Sequence, residues 1–320
     1  MATISFDCCN TQKFINGDIV LYRALLLSLT CLVSSAANAI EYQLPTDGSN
    51  IVGTPNYYEV QKGDSLADIA NKYNVGFLGM MSANKGIDPF LPAPGRLLEI
   101  PTKVVLPDVS HKGIVVNLAE LRLYYFPKDD ASKVYIFPIG IGRVGRETPS
   151  MTTTINEKVK NPTWTPPASI RKEHAARGDI LPAVVPAGPD NPLGDYKMRL
   201  AYGHGEYLIH GTNKDFGIGM RVSGGCIRMN PWDVEWLFPH VALGTQVRII
   251  NQPVKYSVEP NGKIIVEVHS PLSKDESQIG EKKTLTAPKQ LIEDLNYDND
   301  AYQVLNKALD DQSGIPVVLN

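Results

Sequence analysis

Three observations predict a mostly β protein. From Gly113 onward, apolar and β-branched runs recur with short turn-forming gaps between them. Twenty-four prolines and 26 glycines are distributed along the 320 residues, a density that suits strands and turns and not a helical bundle. Helical spacing of apolar residues is confined to short segments. The predicted organisation is a signal region over 1–39, a spacer over 40–56 and a small strand–helix–helix–strand unit over 57–101. A strand-rich domain over 112–250 and a C-terminal extension over 251–320 complete it.

The N-terminal region reads as an export signal. Arg23 precedes an almost unbroken apolar run, Ala24 to Val33, followed by the small-residue end Ala37-Asn38-Ala39. That run is too short to span a bilayer and has the form of a cleaved leader, with cleavage expected after Ala39. An uncleaved anchor is the alternative. The residues ahead of Arg23 include Cys8, Cys9 and two acidic groups where a basic start is expected, so the working leader starts near Leu21 to Arg23. An extracytoplasmic location follows. Three of the four cysteines, Cys8, Cys9 and Cys31, fall within this segment and leave Cys226 as a lone thiol. Stability must then come from burial, for which roughly 280 residues are enough. The net charge of -3 shows no basic run with interleaved aromatics, which argues against nucleic acid as a partner.

Each element follows in order. Residues 40–56 are polar and turn-rich. Tyr57-Tyr58-Glu59-Val60 suits a strand, and Lys62-Gly63-Asp64 a turn. Leu66, Ile69, Ala70 and Tyr73 recur at helical spacing, with Asp64 or Ser65 available as the cap. A second helix fits Phe77 to Asn84, and Gly95 to Pro101 makes a closing strand. Strands then follow at 114–117, 121–126, 134–141 and 151–159. Seven prolines between 162 and 192 forbid a regular ladder there; that stretch is expected to be a lid or wall, with one helix near Ser169 to Arg177. Strands resume at 196–200 and 206–209, Asn230-Pro231 opens a helix, and 245–250 is a last strand. Lys255 to Val258 and Lys263 to Val268 suit a hairpin around Pro260-Asn261-Gly262. One or two helices follow Thr286, whose hydroxyl is the expected cap, with a division near Asp298.

The chemistry concentrates on Ser223-Gly224-Gly225-Cys226-Ile227-Arg228, sixteen residues after His210 in Ile209-His210-Gly211-Thr212-Asn213. A thiol attacks only as thiolate, so Cys226 needs a proton acceptor, and a neutral imidazole serves near neutral pH. His210 is the candidate base and the Gly211 carbonyl the candidate orienter of its other nitrogen. Gly224 and Gly225 permit a sharp turn whose N–H groups, at Gly225 and Cys226, would bind an oxyanion. The bland reading is an inert core cysteine near a histidine. Arg228 either organises the loop or pairs with a substrate carboxylate. Ser223 can hydrogen-bond the loop; Tyr202 and His204 could face the cleft, His204 equally being an exposed loop residue. The histidines do not show the paired spacing of a zinc motif, and no metal or cofactor is expected.

Two resemblances sharpen this picture. Tyr58-x-Val60-x-x-Gly63-Asp64-Ser65-Leu66-x-x-Ile69-Ala70, Ala83-Asn84 and Leu98-x-Ile100-Pro101 resemble the LysM module. That resemblance implies binding of peptidoglycan glycan strands, with Gly63, Asp64, Ser65 and Asn84 as the glycan-binding positions. His210-Gly211-Thr212-Asn213, Ile218-Gly219 and Val222 to Met229 resemble the signature of the L,D-transpeptidase (YkuD-type) catalytic domain. Gly140-x-Gly142, Thr148-Pro149 and Asn191-Pro192-Leu193-Gly194 extend it. The whole architecture is similar to periplasmic enzymes that attach the major outer-membrane lipoprotein to peptidoglycan. The family implies a β-sandwich-like domain with Cys226 as nucleophile and His210 as base. Its donor is a tetrapeptide stem ending in meso-diaminopimelate and D-alanine; its acceptor is a lipoprotein lysine or a diaminopimelate amine. Acylation by carbapenems is also implied. Many members carry histidine where Gly224 stands here, which questions an auxiliary role at that position and not the nucleophile. Two other functions remain on this evidence: a peptidoglycan-binding protein with an inactive catalytic-like domain, which the intact pair disfavours, and an L,D-carboxypeptidase that gives the thioester to water.

Overall fold

The computed structural model describes residues 40–320 except 215, 279, 280 and 282; the expected export signal lies outside the described residues. The N-terminal part carries β1 (Ile40–Gln43), β2 (Ile51–Val52), β3 (Asn56–Glu59), α1 (Leu66–Lys72), α2 (Phe77–Ala83), β4 (Leu97–Ile100) and β5 (Val104–Val105). The central part carries β6 (Gly113–Asn117), β7 (Arg122–Phe126), β8 (Lys133–Gly142), β9 (Met151–Lys160) and α3 (Ala168–Ala175). It continues through β10 (Tyr196–Leu200), β11 (Leu208–His210), β12 (Arg221–Ser223), β13 (Ile227–Met229), α4 (Pro231–His240) and β14 (Gln246–Ile250). The C-terminal part is β15 (Val254–Val258), β16 (Ile264–Val268), α5 (Lys289–Asp294), α6 (Asn299–Asp311) and β17 (Val317–Val318).

The central strands run β8-β13-β11-β10-β9-β14-β6-β7, and β7 pairs back with β8, so the sheet closes on itself. A sandwich-like domain is therefore realised as a barrel. Two ten-residue strands make the closure. β8 pairs β7 through Tyr135 to Pro138 and β13 through Ile139 and Gly140. β9 pairs β14 through Met151 to Thr154 and β10 from Ile155 to Lys160, with an irregularity opposite Leu200. Each long strand thus passes from one half of the sheet to the other. Inside lie Ile114, Phe137, Ile139, Met198, Ile209, Ile227, Met229 and Val247, joined by Val234 and Leu237 of α4. Each such buried side chain contributes roughly 1.5–3 kcal/mol.

Residues 40–56 are not a free spacer. β1 pairs antiparallel with the edge of β8, and β2 pairs with β5. Val52, Val104 and Leu106 bury a second cluster with Val115, Tyr124, Phe126, Val134 and Ile136 on the outer face of β6–β8. The composition of 40–56 is that of a loop, but the edge of β8 has unpaired backbone groups and an apolar outer face, and both need covering.

The small unit is β3–α1–α2–β4 with its own core of Val60, Leu66, Ile69, Met80, Leu98 and Ile100. It docks on the barrel by polar contacts. Asn74 Nδ2 donates to Asp233 Oδ1 at 2.8 Å, Asn230 Nδ2 donates to Asn74 Oδ1 at 3.0 Å, and the Leu78 N–H donates to the Gly219 carbonyl at 3.2 Å. Gly219 has φ +69°, and a Cβ there would stand 2.3 Å from Gly76 Cα, so this contact requires glycine.

The C-terminal hairpin, β17 and the two helices enclose a further core of Val266, Leu291, Leu295 and Leu305. Asp298 caps α6 by accepting from the Asp300 and Ala301 N–H groups. Thr286 is not the cap of α5: Pro288 precedes that helix and supplies no side-chain bond. Among the described residues no helix is long and apolar enough to cross a membrane.

Candidate active site

β11 and β13 are parallel neighbours with Ile209 opposite Ile227 and His210 opposite Arg228. Ile209 and Ile227 point into the barrel core. Strand alternation then turns His210 and Arg228 to the other face, and Cys226 ends the bend that leads into β13. Pairing register, and not the sixteen-residue separation, sets the imidazole beside the guanidinium that also acts on the thiol.

His210 is almost fully buried. Its Nδ1 lies 2.5 Å from the Gly211 carbonyl oxygen. A carbonyl only accepts, so Nδ1 carries hydrogen and Nε2 keeps the lone pair of a neutral ring. Burial, and then the Arg228 guanidinium, lowers the His210 pKa to about 4, against the carbonyls of Gly211 and Leu193. The Cys226 thiol donates to the Glu206 carbonyl at 3.3 Å. Burial pushes its pKa up to about 11, opposed by the Leu208 N–H and by Arg228. Both groups are therefore held neutral at rest, and the pair is not a preformed thiolate–imidazolium. Arg228 Nε is buried without a hydrogen-bond partner.

The nucleophile turn is braced from below. Ser223 Oγ donates to the Cys226 carbonyl at 2.5 Å and accepts from the Gly225 N–H at 3.2 Å. Thr148 Oγ1 donates to the Gly225 carbonyl at 2.8 Å and accepts from the Gly142 N–H at 3.0 Å. The Gly225 N–H, expected as an oxyanion donor, is held by the Ser223 hydroxyl in this structure. Ser223 is likewise spent on the loop and not offered to a ligand. Asn191 ties the insert together, donating to the carbonyls of Pro162 at 2.7 Å and Pro186 at 3.1 Å.

Tyr202 is exposed and stands edge-on to Tyr207, ring centres 5.7 Å apart. Tyr207, which carries no motif signal, lies over the turn: a Cβ on Gly225 would be 3.3 Å from its ring. His204 is exposed on the intervening loop, where its backbone N–H donates to Glu206 Oε2 at 2.6 Å. An open cavity of about 640 Å³ abuts the turn through Ser223, Gly224 and Arg228, with Trp164, Ile170 and Leu181 of the 160–194 insert on its far side. Neither Cys226 nor His210 is part of its wall. The insert, expected as a lid or wall, lines the cavity and has α3 and a Trp164–Val185 bridge as its regular structure.

The expected glycan-binding positions of the small unit also serve its own structure. Asp64 accepts from Tyr58 Oη at 2.9 Å and the Gln61 N–H at 2.8 Å, and Ser65 caps α1. Asn84 donates to the Met80 and Glu99 carbonyls at 3.0 and 2.8 Å and accepts from the Glu99 N–H at 2.8 Å. Gly63 has φ +96° and serves the turn. These residues build the module. Its exposed surface is largely polar, with Phe90 and Leu91 on the loop before β4 as its most exposed large apolar side chains.

A closed β-barrel with a braced Gly-Gly-Cys turn at the head of β13 and a buried histidine on its neighbour β11 defines the class of domain. Residues 111–249 match the L,D-transpeptidase catalytic domain (YkuD), 253–319 the L,D-transpeptidase C-terminal domain and 58–101 the LysM domain. The chain is 50% identical over 287 residues to the probable L,D-transpeptidase YcfS of Escherichia coli K12, covering 88% of each. It is 45% identical over 302 residues to the probable L,D-transpeptidase ErfK/SrfK of the same organism, covering 92% of this chain and 96% of that one. The chain belongs to the L,D-transpeptidase family. The solution structure of the Enterococcus faecium L,D-transpeptidase catalytic domain acylated by ertapenem aligns with a TM-score of 0.33 at 21% identity, over 45% of this chain and all of that one.

Proposed function

We propose that this L,D-transpeptidase works through a thioester on Cys226, in the periplasm, on tetrapeptide stems of peptidoglycan. The observation that supports the mechanism is Arg228, which the β11–β13 register sets beside His210 and whose charge acts on both His210 and Cys226. His210 Nε2 takes the thiol proton as sulfur attacks the diaminopimelate carbonyl. The carbon–nitrogen bond to D-alanine breaks, and the imidazolium returns the proton to the leaving amine. An acceptor amine, from a lipoprotein lysine or a diaminopimelate side chain, then attacks the thioester and restores the thiol. With the Gly225 N–H engaged, the Cys226 N–H is the remaining donor of the turn for the oxyanion. Because both groups rest neutral, proton transfer accompanies attack. Arg228 favours the thiolate and disfavours the imidazolium. No cofactor enters these steps. The LysM unit holds the enzyme on peptidoglycan.

Intact-protein mass spectrometry with a tetrapeptide donor tests this. The wild type should gain the stem less D-alanine, and Cys226→Ala should gain nothing. Carbapenem should add to the same sulfur. An adduct persisting in the Cys226→Ala protein would exclude the thioester. Release of the stem as free acid in the presence of acceptor amine would identify water as the acceptor.

A further inference from the structure

The cavity beside the nucleophile turn carries a basic excess. Arg143, Arg146, Arg177, Lys214 and Arg228 line it, against Glu173, Asp179 and Asp190. Arg143 and Arg146 lie on the loop between β8 and β9, and that loop is locked to the catalytic turn. The Arg143 N–H donates to the Ser223 carbonyl at 3.0 Å. A Cβ on Gly225 would be 3.7 Å from the Arg146 carbonyl oxygen. The two guanidinium groups are therefore carried at a set place relative to Cys226. One carboxylate already occupies them. Glu173 of α3 pairs through Oε1 with Arg143 Nη2 and through Oε2 with Arg146 Nη2 at 3.4 Å, while Arg146 Nη1 donates to Ser169 Oγ at 3.0 Å. The same helix sets Ile170 over the turn, 3.4 Å from where a Gly224 Cβ would be.

From this geometry we infer that Arg143 and Arg146 form a carboxylate-recognising subsite for the donor stem, which Glu173 fills in the free enzyme and a substrate carboxylate takes over. The inference rests on the stem peptide being the donor. Two guanidiniums sharing one carboxylate present the planar donor array that carboxylates bind best. The Glu173 pair is partly exposed, with side-chain exposures of 38% for Arg143 and 32% for Glu173. Such a pair is weakly held in water and can be exchanged for a ligand at little cost. When Glu173 lets go, α3 keeps only the Arg146–Ser169 hydrogen bond of these ties to the loop, and its Ile170 can move off the Gly224–Cys226 turn. Anion binding and access to the sulfur are thereby linked in one element.

The test is a calorimetric titration on the full chain carrying Cys226→Ala, so that no turnover occurs. Two tetrapeptide stems are used, one with free carboxylates and one with its carboxylates converted to amides. Arg143→Gln combined with Arg146→Gln should weaken the free-carboxylate stem at least tenfold and leave the amide stem within about twofold. Glu173→Gln should tighten the free-carboxylate stem several-fold, more at low salt, and leave the amide stem unchanged. Glu173→Ala repeats the measurement without a residual hydrogen-bonding group. Weaker binding of both stems on loss of Glu173 would assign it a purely structural role and overturn the inference. Equal effects of the arginine substitutions on both stems would do the same. Transfer is not read in this experiment, so failure of the thioester mechanism would show separately, in the mass of the wild-type protein.

Discussion

Arg228 lowers the pKa of both Cys226 and His210, opposing burial at the thiol and reinforcing it at the imidazole. The active form needs His210 unprotonated, so the acid limb of kcat/KM should fall only near the folded imidazole pKa of about 4. The thiol, at about 11, keeps the alkaline side flat through neutral pH. A plateau spanning about pH 6 to 9 is the expected profile for a base that works without a preformed ion pair. Arg228→Gln removes a positive charge beside the ring and should move the acid limb to higher pH. Steady-state rates measured across pH with a soluble stem donor check both; an acid limb near 6.5 in the wild type would mean the imidazole is solvated during turnover. The motif Gly-Gly-Cys-x-Arg and the His-Gly pair are legible in the sequence because they are local. That Gly225 gives its N–H to Ser223 and that Tyr207 covers the turn are not legible, since the first depends on how the turn closes and the second on a loop with no motif.

At the level of elements, the contact between the LysM unit and α4 is polar and buried. Asp233 sits in the first turn of α4, and burial raises its pKa to about 7, against the hydrogen bonds from Asn74 and Asn230. The folded state therefore holds this proton more tightly than the unfolded chain, which releases it near 3.8. Its contribution is present in full below about pH 4 and is lost as pH rises through about 7, by an amount on the order of a few kcal/mol. Asp233→Asn cannot ionise, so its stability relative to wild type should improve progressively between pH 4 and pH 8. Urea unfolding at several pH values measures that difference; a constant gap would show that Asp233 ionises alike in both states.

The same contact affects how glycan binding should be tested. Deleting 57–101 would strip Asp233 and Asn230 of their Asn74 partner and leave buried polar groups exposed or unpaired. A point change is cleaner. Phe90→Ala on the exposed loop should reduce retention on isolated peptidoglycan sacculi by several-fold and leave transfer on a small soluble stem unchanged. Equal pull-down of both proteins at matched concentration would remove that loop from glycan binding. The strand–helix–helix–strand order was legible from apolar spacing, and the roles of Asp64, Ser65 and Asn84 were not. Their side chains could serve a ligand or the module's own backbone, and only the observed bonds decide.

Across the whole molecule, one buried network joins the parts. Glu120 from the β6–β7 turn, Arg122 of β7, and Lys255, Glu267 and His269 of the C-terminal hairpin converge. Lys255 Nζ lies 2.7 Å from Glu120 Oε2 and 3.2 Å from Glu267 Oε2, and Arg122 Nη1 lies 2.9 Å from Glu267 Oε1. The Val105 N–H donates to Glu267 Oε2 at 2.6 Å, and Lys255 Nζ donates to the Val105 carbonyl at 2.5 Å. Glu120, Glu267 and His269 could group around a cation, and the Lys255 ammonium stands among them. The cationic neighbours hold both carboxyls below their ordinary range despite complete burial. Lys255→Met should cost about 3–5 kcal/mol, because it leaves two buried carboxylates undercompensated. Thermal unfolding of that variant should show a lower midpoint or a C-terminal part melting ahead of the barrel; an unchanged single transition would mean the network contributes no net stability.

Strand periods, the position of the thiol, the small N-terminal unit and the hairpin turn follow from residues a few positions apart. Local propensity and motif chemistry act over that range, so these features are written in the linear order. The closure of the barrel, the use of 40–56 as edge strands, the Lys255–Glu120 pair and the placing of Arg228 beside His210 are of another kind. They depend on which strands pair, in what register, and which groups lose water when surfaces meet. Those outcomes are set jointly by residues up to hundreds of positions apart, and only the folded chain brings them together.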